Sequence, residues 1–178
     1  MEVLLLHGWA ANSRQQWFPY IRRELGKKKV KVYAPNLPRP KIPDLTDWSW
    51  VITKNLLKMG SRRIVICHSL GGVALLRTLE EVKLPIDLVI FVSVPLHVHT
   101  KREFLSKFFK IRYRWNIIRK SIKKAIIIHA KDDPWVSYIN GQEIARQLRG
   151  KLIMPKSGKH FTTKKFPLLL NLLSSALS

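Results

Sequence analysis

A serine hydroxyl becomes an effective nucleophile only when a neighbouring imidazole can take its proton, and that imidazole needs a carboxylate to fix its tautomer and stabilise its charged form. The chain carries all three residue types in a suggestive order. Ser69 lies in Cys67-His68-Ser69-Leu70-Gly71-Gly72, after the apolar run Ile64 to Cys67 and before a helical pattern. Small residues two before and two after the serine permit a tight strand-to-helix turn, which would raise the hydroxyl at a sheet edge above a helix N-terminus. The pattern alone also suits an ordinary serine cap. Asp132-Asp133-Pro134 follows the run Ala125 to His129, and His160 follows Leu152 to Met154 in Ser157-Gly158-Lys159-His160-Phe161. Serine, aspartate and histidine in that order, each on a loop after a parallel strand, can converge on one rim of a sheet. On spacing alone, either Asp132 or Asp133 could supply the acid.

A fourth element sits after the first apolar run, at His7-Gly8-Trp9. Gly8 lets the backbone turn close to the nucleophile, so the amides of Trp9 and Leu70 could together form an oxyanion hole. Trp9, Trp17 and Trp135 are candidates for the substrate pocket, the first and last because they flank these loops, although aromatic residues are more often core. His7 is expected to order the oxyanion loop and border the substrate site, while His68 should turn away from the serine into packing. His97 and His99 alternate without a nearby carboxylate, which is a weak metal signal. No metal and no organic cofactor is expected. Cys67, the one cysteine, excludes an internal disulfide and a multi-cysteine zinc site and reads as a small buried residue.

Such residues need a scaffold, and the apolar pattern supplies one. Runs at Val3 to Leu6, Val30 to Tyr33, Ile64 to Cys67, Leu88 to Val94, Ala125 to His129 and Leu152 to Met154 lack polar alternation. Strands covered on both faces of a parallel sheet look this way. Helical spacing fills most of the gaps, at Gln15 to Leu25, Trp48 to Met59, Leu70 to Val82, Ile139 to Leu148 and Pro167 to Leu177. Alternating strands and helices predict a mostly parallel six-stranded sheet in the order 2-1-3-4-5-6, with helices on both faces and no large lid domain. Residues 1–178 should form a single domain.

Two segments interrupt the alternation. Ala34 to Asp47 holds Pro35, Pro38, Pro40 and Pro43, and should leave the second strand as an extended loop. Pro95 to Lys124 has ten Lys or Arg against one acid, Glu103, with Phe104, Phe108, Phe109, Tyr113 and Trp115 among them. It should sit beside the carboxyl ends of the strands, where open α/β sheets bind ligands.

Composition bounds the function further. Of 178 residues, 46% are hydrophobic and 10% aromatic, enough for a substantial core and too many for a disordered tail. The stretch Phe166 to Leu173 falls short of the roughly 18–20 apolar residues that cross a bilayer. No basic stretch or cleavage site precedes Val3 to Leu6, which therefore reads as a strand and not a signal peptide, and reducing cytoplasm is the expected location. The 33 Lys and Arg against 11 Asp and Glu give a net charge of +22. Basic patches could neutralise nucleic-acid phosphates or acidic surfaces. Because the cations are spread through almost every segment and no nucleic-acid motif is present, a solvated basic exterior is favoured.

The chain resembles a known family along nearly its whole length, the small serine hydrolases related to retinoblastoma-binding protein 9 within the α/β-hydrolase superfamily. The matching stretches are LLLHGWAANSRQQWFPYIRREL, APNLPRPKIPDLTDW, CHSLGG, FFKIRYRWNIIRKSIKKAIIIHAKDDPWV and GKHF. The resemblance implies a minimal α/β-hydrolase with Ser69 as nucleophile, His160 as base and Asp133 as acid. Asp133 is preferred because the family's carboxylate immediately precedes a proline and lies 27 residues before the histidine, with Asp132 as runner-up. Cys67 departs from the usual glycine two before the serine, and Lys159 from the glycine that often precedes the histidine. The expected activity is hydrolysis of small carboxylic esters. Its rivals are a peptidase or amidase using the same residues, and a nucleic-acid-binding or protein-interaction module on a hydrolase scaffold.

Overall fold

The computed structural model describes residues 1–97, 102–109 and 112–177. Six strands, β1 (Glu2–Leu6), β2 (Lys31–Tyr33), β3 (Arg63–His68), β4 (Ile86–Val92), β5 (Ile122–Ile128) and β6 (Lys151–Ile153), form one sheet ordered β2-β1-β3-β4-β5-β6. Every neighbouring pair is parallel. The expected order and strand direction are both found.

Among the described residues, seven helices accompany the strands: α1 (Phe18–Lys27), α2 (Leu45–Lys58), α3 (Leu70–Glu81), α4 (Glu103–Phe109), α5 (Trp115–Ser121), α6 (Ile139–Leu148) and α7 (Pro167–Leu177). Strand periodicity assigns alternate side chains to opposite faces. Ile64 and Ile66 of β3 pack with α1 and α7, whereas Val65 and Cys67 pack with α2, α3 and α6. Helices thus cover both faces, which is why the strands carry no polar alternation. Each fully buried Leu, Val, Ile or Phe contributes about 1.5–3 kcal/mol relative to exposure.

The element ends differ from the sequence reading for local reasons. α1 starts at Phe18, not Gln15, because Gln16 adopts a positive φ of 54° and Pro19 pre-sets the first turn. α2 starts three residues early, since the Asp44 carboxylate caps it by accepting from the amides of Thr46 and Asp47. β4 stops at Val92, where Ser93 takes a φ of 47° and breaks the strand.

The segment after β4 was expected as an interruption without elements of its own, and it holds α4 and α5 instead. They are fastened to α3 by a buried clamp. The Arg77 guanidinium donates to the Phe108 carbonyl at 3.0 Å, pairs with Glu80 at 3.1 Å and stacks 3.9 Å over the Tyr113 ring. Glu80 in turn accepts from the Arg114 amide at 2.6 Å. No larger insertion occurs among the described residues, and none of their helices is long and apolar enough to cross a membrane.

Candidate active site

Ser69 stands between β3 and α3 with φ 51° and ψ −127°, a conformation costly for a residue with a side chain and characteristic of functional turns. Its amide donates to Val92 of the neighbouring strand at 2.9 Å, and its side chain makes no cap hydrogen bond. The serine is therefore not an ordinary helix cap. Space explains the small residues around it. A Cβ on Gly71 would overlap the His7 carbonyl oxygen and lie 2.9 Å from that of Leu6, and one on Gly8 would lie 2.9 Å from the Ser69 Cβ. Cys67 is fully buried, and burial pushes its thiol well above the usual cysteine range.

A cavity of about 640 Å³ opens here, bordered by Gly8, Trp9, Ser69, Leu70, Trp135 and His160. Leu105, Phe109 and Arg102 from the segment after β4 complete its opposite wall. Ser69 and His160 thus face a common space. The His160 Nδ1 donates to Asp133 Oδ2 at 2.8 Å, and Asp133 Oδ1 accepts from the amides of Trp135 and Val136, both at 3.0 Å. The Asp133 side chain is wholly buried. Burial alone would raise its carboxyl, but hydrogen bonds from His129, His160 and the Trp135 amide outweigh that and hold it well below the ordinary carboxylate range.

Asp132 has different work, accepting from the Lys159 amide at 2.8 Å and so tying the histidine loop to the aspartate loop. Lys159 and Phe161, on either side of His160, both take positive φ, 48° and 50°. The Phe161 ring stacks on Phe166 at 4.7 Å and is buried, which pins the loop from below. Trp135 meets the His160 ring edge-on at 5.0 Å.

Two further histidines hold the site. His68 packs against the His160 ring at 4.9 Å, and its Nε2 donates to the His160 carbonyl at 2.8 Å. Burial first, and the His160 charge second, lower its pKa to about 3, so it stays neutral. His129, which the sequence reading took only as the end of a strand, is fully buried with Nε2 2.9 Å from the Val136 carbonyl and 3.5 Å from Asp133 Oδ2. Its position four before Asp133 was the available signal.

The Gly8-Trp9 loop is built from behind. The Leu37 amide donates to His7 Nε2 at 2.8 Å, so the ring proton sits on Nδ1 and donates to the Gly8 carbonyl at 2.9 Å. Burial lowers the His7 pKa and keeps this tautomer uncharged. His7 is completely buried and does not border the cavity, so the expected contact with substrate is corrected: it shapes the loop from inside. The proline-rich segment holds the loop from outside, Pro40 accepting from the Ala10 amide at 2.8 Å and Lys41 from the Trp9 indole at 2.9 Å. Among the described residues, neither the Trp9 nor the Leu70 amide is engaged by a hydrogen bond. Trp17 is a core residue stacked on Phe18 at 4.2 Å. His97 is exposed, His99 lies outside the described residues, and no metal-holding group of three or more His, Cys, Asp or Glu occurs among those described.

A parallel sheet in this order, with a strained serine after its third strand and an aspartate-bound histidine across the cleft, is that of an α/β-hydrolase. The chain belongs to the serine hydrolase family, whose model matches residues 3–166. It is 28% identical over 183 residues to the Bacillus subtilis (strain 168) protein YdeN, covering 99% of this chain and 96% of that one. It is 24% identical over 163 residues to the Rattus norvegicus serine hydrolase RBBP9, covering 91% and 87% respectively. The crystal structure of the B. subtilis ydeN gene product matches with a TM-score of 0.92 at 26% identity, over 99% of this chain and 98% of that one. Est1E of Butyrivibrio proteoclasticus, solved with ferulic acid bound, shares the fold at 14% identity with a TM-score of 0.74, over 98% and 87% of the two chains. The protein is a serine hydrolase, as its resemblance implied.

Proposed function

We propose that residues 1–178 act as one hydrolase domain that cleaves small carboxylic esters through an acyl-enzyme. The Ser69 Oγ attacks the ester carbonyl while His160 Nε2 takes its proton. Asp133 holds the imidazole with Nδ1–H directed at the carboxylate and stabilises the imidazolium that forms. The amides of Trp9 and Leu70 donate to the oxyanion of the tetrahedral intermediate. Collapse breaks the ester C–O bond, and His160 returns the proton to the departing alcohol. Water, deprotonated by His160, then attacks the acyl carbon, and Ser69 leaves with the proton as the carboxylic acid departs.

The observation carrying this reading is the 2.8 Å bond from His160 to a buried Asp133 beside a cavity that Ser69 also borders. Trp9 and Trp135 flank the space where substrate would lie. A cavity of about 640 Å³ with Leu105 and Phe109 on one wall suits short acyl chains. The single buried Cys67 accords with a reducing compartment, and we assign the protein to the cytoplasm.

The test is labelling with a fluorophosphonate probe, followed by turnover of p-nitrophenyl esters from acetate to decanoate and of aminoacyl anilides. Labelling lost in Ser69→Ala, with short esters turned over fastest, is the expected result. Absence of labelling in the wild type would reject the mechanism, and faster anilide cleavage would make the protein an amidase.

A further inference from the structure

Beside the cleft lies a second cavity of about 500 Å³, whose lining includes Arg14, Gln16, Tyr20, Arg23, Lys164 and Lys165. Gln16 borders both cavities. The chain also joins them, running from His160 and Thr162 in the first to Lys164 and Lys165 in the second. The two cavities are therefore neighbours along this segment.

The chemistry of the second cavity is one-sided. Four of its lining residues are cations and none is an acid. Arg23 pairs with Glu24 at 2.9 Å, whereas among the described residues no ion pair engages Arg14, Lys164 or Lys165. The cavity near Tyr113 and Trp115 differs, setting Glu143 in the same lining as Arg112. Like charges gathered around a concave surface repel one another, and a bound anion relieves that repulsion. At the junction, the Gln16 Oε1 is buried with no hydrogen-bond partner.

The side of the cleft matters too. In the ester reading, on which this inference rests, His160 hands its proton to the departing alcohol, so the alcohol portion of the substrate lies toward His160 and the Thr162 to Lys165 segment. We propose that the Arg14, Arg23, Lys164 and Lys165 cavity is a subsite for an anionic group, carboxylate or phosphate, carried on the alcohol portion of the substrate. The preferred substrates are then acyl esters of hydroxylated acids or phosphorylated polyols.

Three esters of butyric acid test this: 1-butyrylglycerol, 3-butyrylglycerate and 1-butyrylglycerol 3-phosphate. They share the acyl group and a free hydroxyl and differ in charge. At low salt, kcat/KM for at least one anionic ester exceeds that of the neutral one by about tenfold, and the advantage shrinks in 0.5 M salt as the charges are screened. Whether glycerate or glycerol phosphate leads identifies the anion. In the Lys164→Glu/Lys165→Glu and Arg14→Glu variants the anionic-to-neutral ratio falls toward one, by about threefold for each exposed cation removed. Turnover of the neutral ester with no gain from either anion, or a gain that survives these variants, would overturn the subsite. If none of the three is cleaved, the ester reading fails, and the subsite is judged by calorimetric binding of the phosphate ester to Ser69→Ala. Binding abolished by Lys164→Glu/Lys165→Glu then supports it, and binding that is absent or indifferent to the reversal rejects it.

Discussion

On one wall of the cleft, Asp133, His160 and His68 are joined by hydrogen bonds of 2.8 Å among buried atoms, while on the other Leu105 and Phe109 rest on α3 through packing and the Arg77 clamp. The first wall is over-determined: Asp133, His160 and His68 are each fixed by at least one hydrogen bond, and removing a partner leaves a buried orphan costing about 1–3 kcal/mol. Apolar packing against the second wall is non-directional and accommodates volume-conserving change at less than about 1.5 kcal/mol. In the proposed mechanism, chemistry is thus concentrated where geometry cannot drift, and substrate choice where it can.

The severest challenge to this contrast is to remove the acid. Asp133→Asn should lower kcat on p-nitrophenyl butyrate by about 10³–10⁴, because the amide favours the wrong imidazole tautomer. Asp132→Asn, which only loosens the Lys159 amide, should cost less than about tenfold; equal losses would show that the two aspartates had been assigned the wrong work.

Acid should open the polar wall next. His68 is held to a pKa of about 3 in the folded protein against about 6.5 unfolded, so the unfolded chain binds the proton first and stability falls as pH drops below about 6.5. The loss amounts to about 2 kcal/mol at pH 5, and His7, also lowered by burial, acts in the same direction. Urea midpoints measured from pH 7.5 to 4.5 should show this slope, and His68→Gln should flatten it. A slope unchanged in that variant would place the acid sensitivity elsewhere.

A smaller effect is expected at His129, which contacts Asp133 without touching the cavity. His129→Phe should cost about 1–2 kcal/mol in stability and about tenfold in kcat, with KM little changed. A rise in KM alone would mean that the ring supports substrate binding and not the carboxylate. Smallest of all is Phe109→Ala on the apolar wall. It should leave acetate turnover within about threefold while moving the preferred chain length upward by a few carbons, read from the p-nitrophenyl series.

The polar wall was also the more legible in sequence. Strands β1 and β3 are unbroken apolar runs, and the small residues around Ser69 announce a turn that only they can make. The order Ser69, Asp133, His160 then follows from one loop after each strand. Long-range contacts were not readable. Helices α4 and α5 were missed because their cations obscure a short amphipathic period, and Arg77 and Glu80, which fasten them, lie more than one element upstream. His129 looked like a strand residue because nothing local shows that Asp133 folds back upon it. His7 seemed to face substrate until the Leu37 amide was found against its Nε2. The prolines of residues 34–47 promised only a loop, yet the Pro40 carbonyl braces the Ala10 turn and the Pro38 carbonyl accepts from the Trp48 indole.

The absence of a side chain at residue 71 reaches beyond that one turn. With the His7 and Leu6 carbonyls pressed against the first turn of α3, Ser69 and the Trp9 loop abut with no slack between them. They behave as a single mechanical part, so a disturbance that shifts one displaces the other. Hydrolysis should consequently vanish abruptly as the protein is heated or mutated here, instead of fading through half-competent forms.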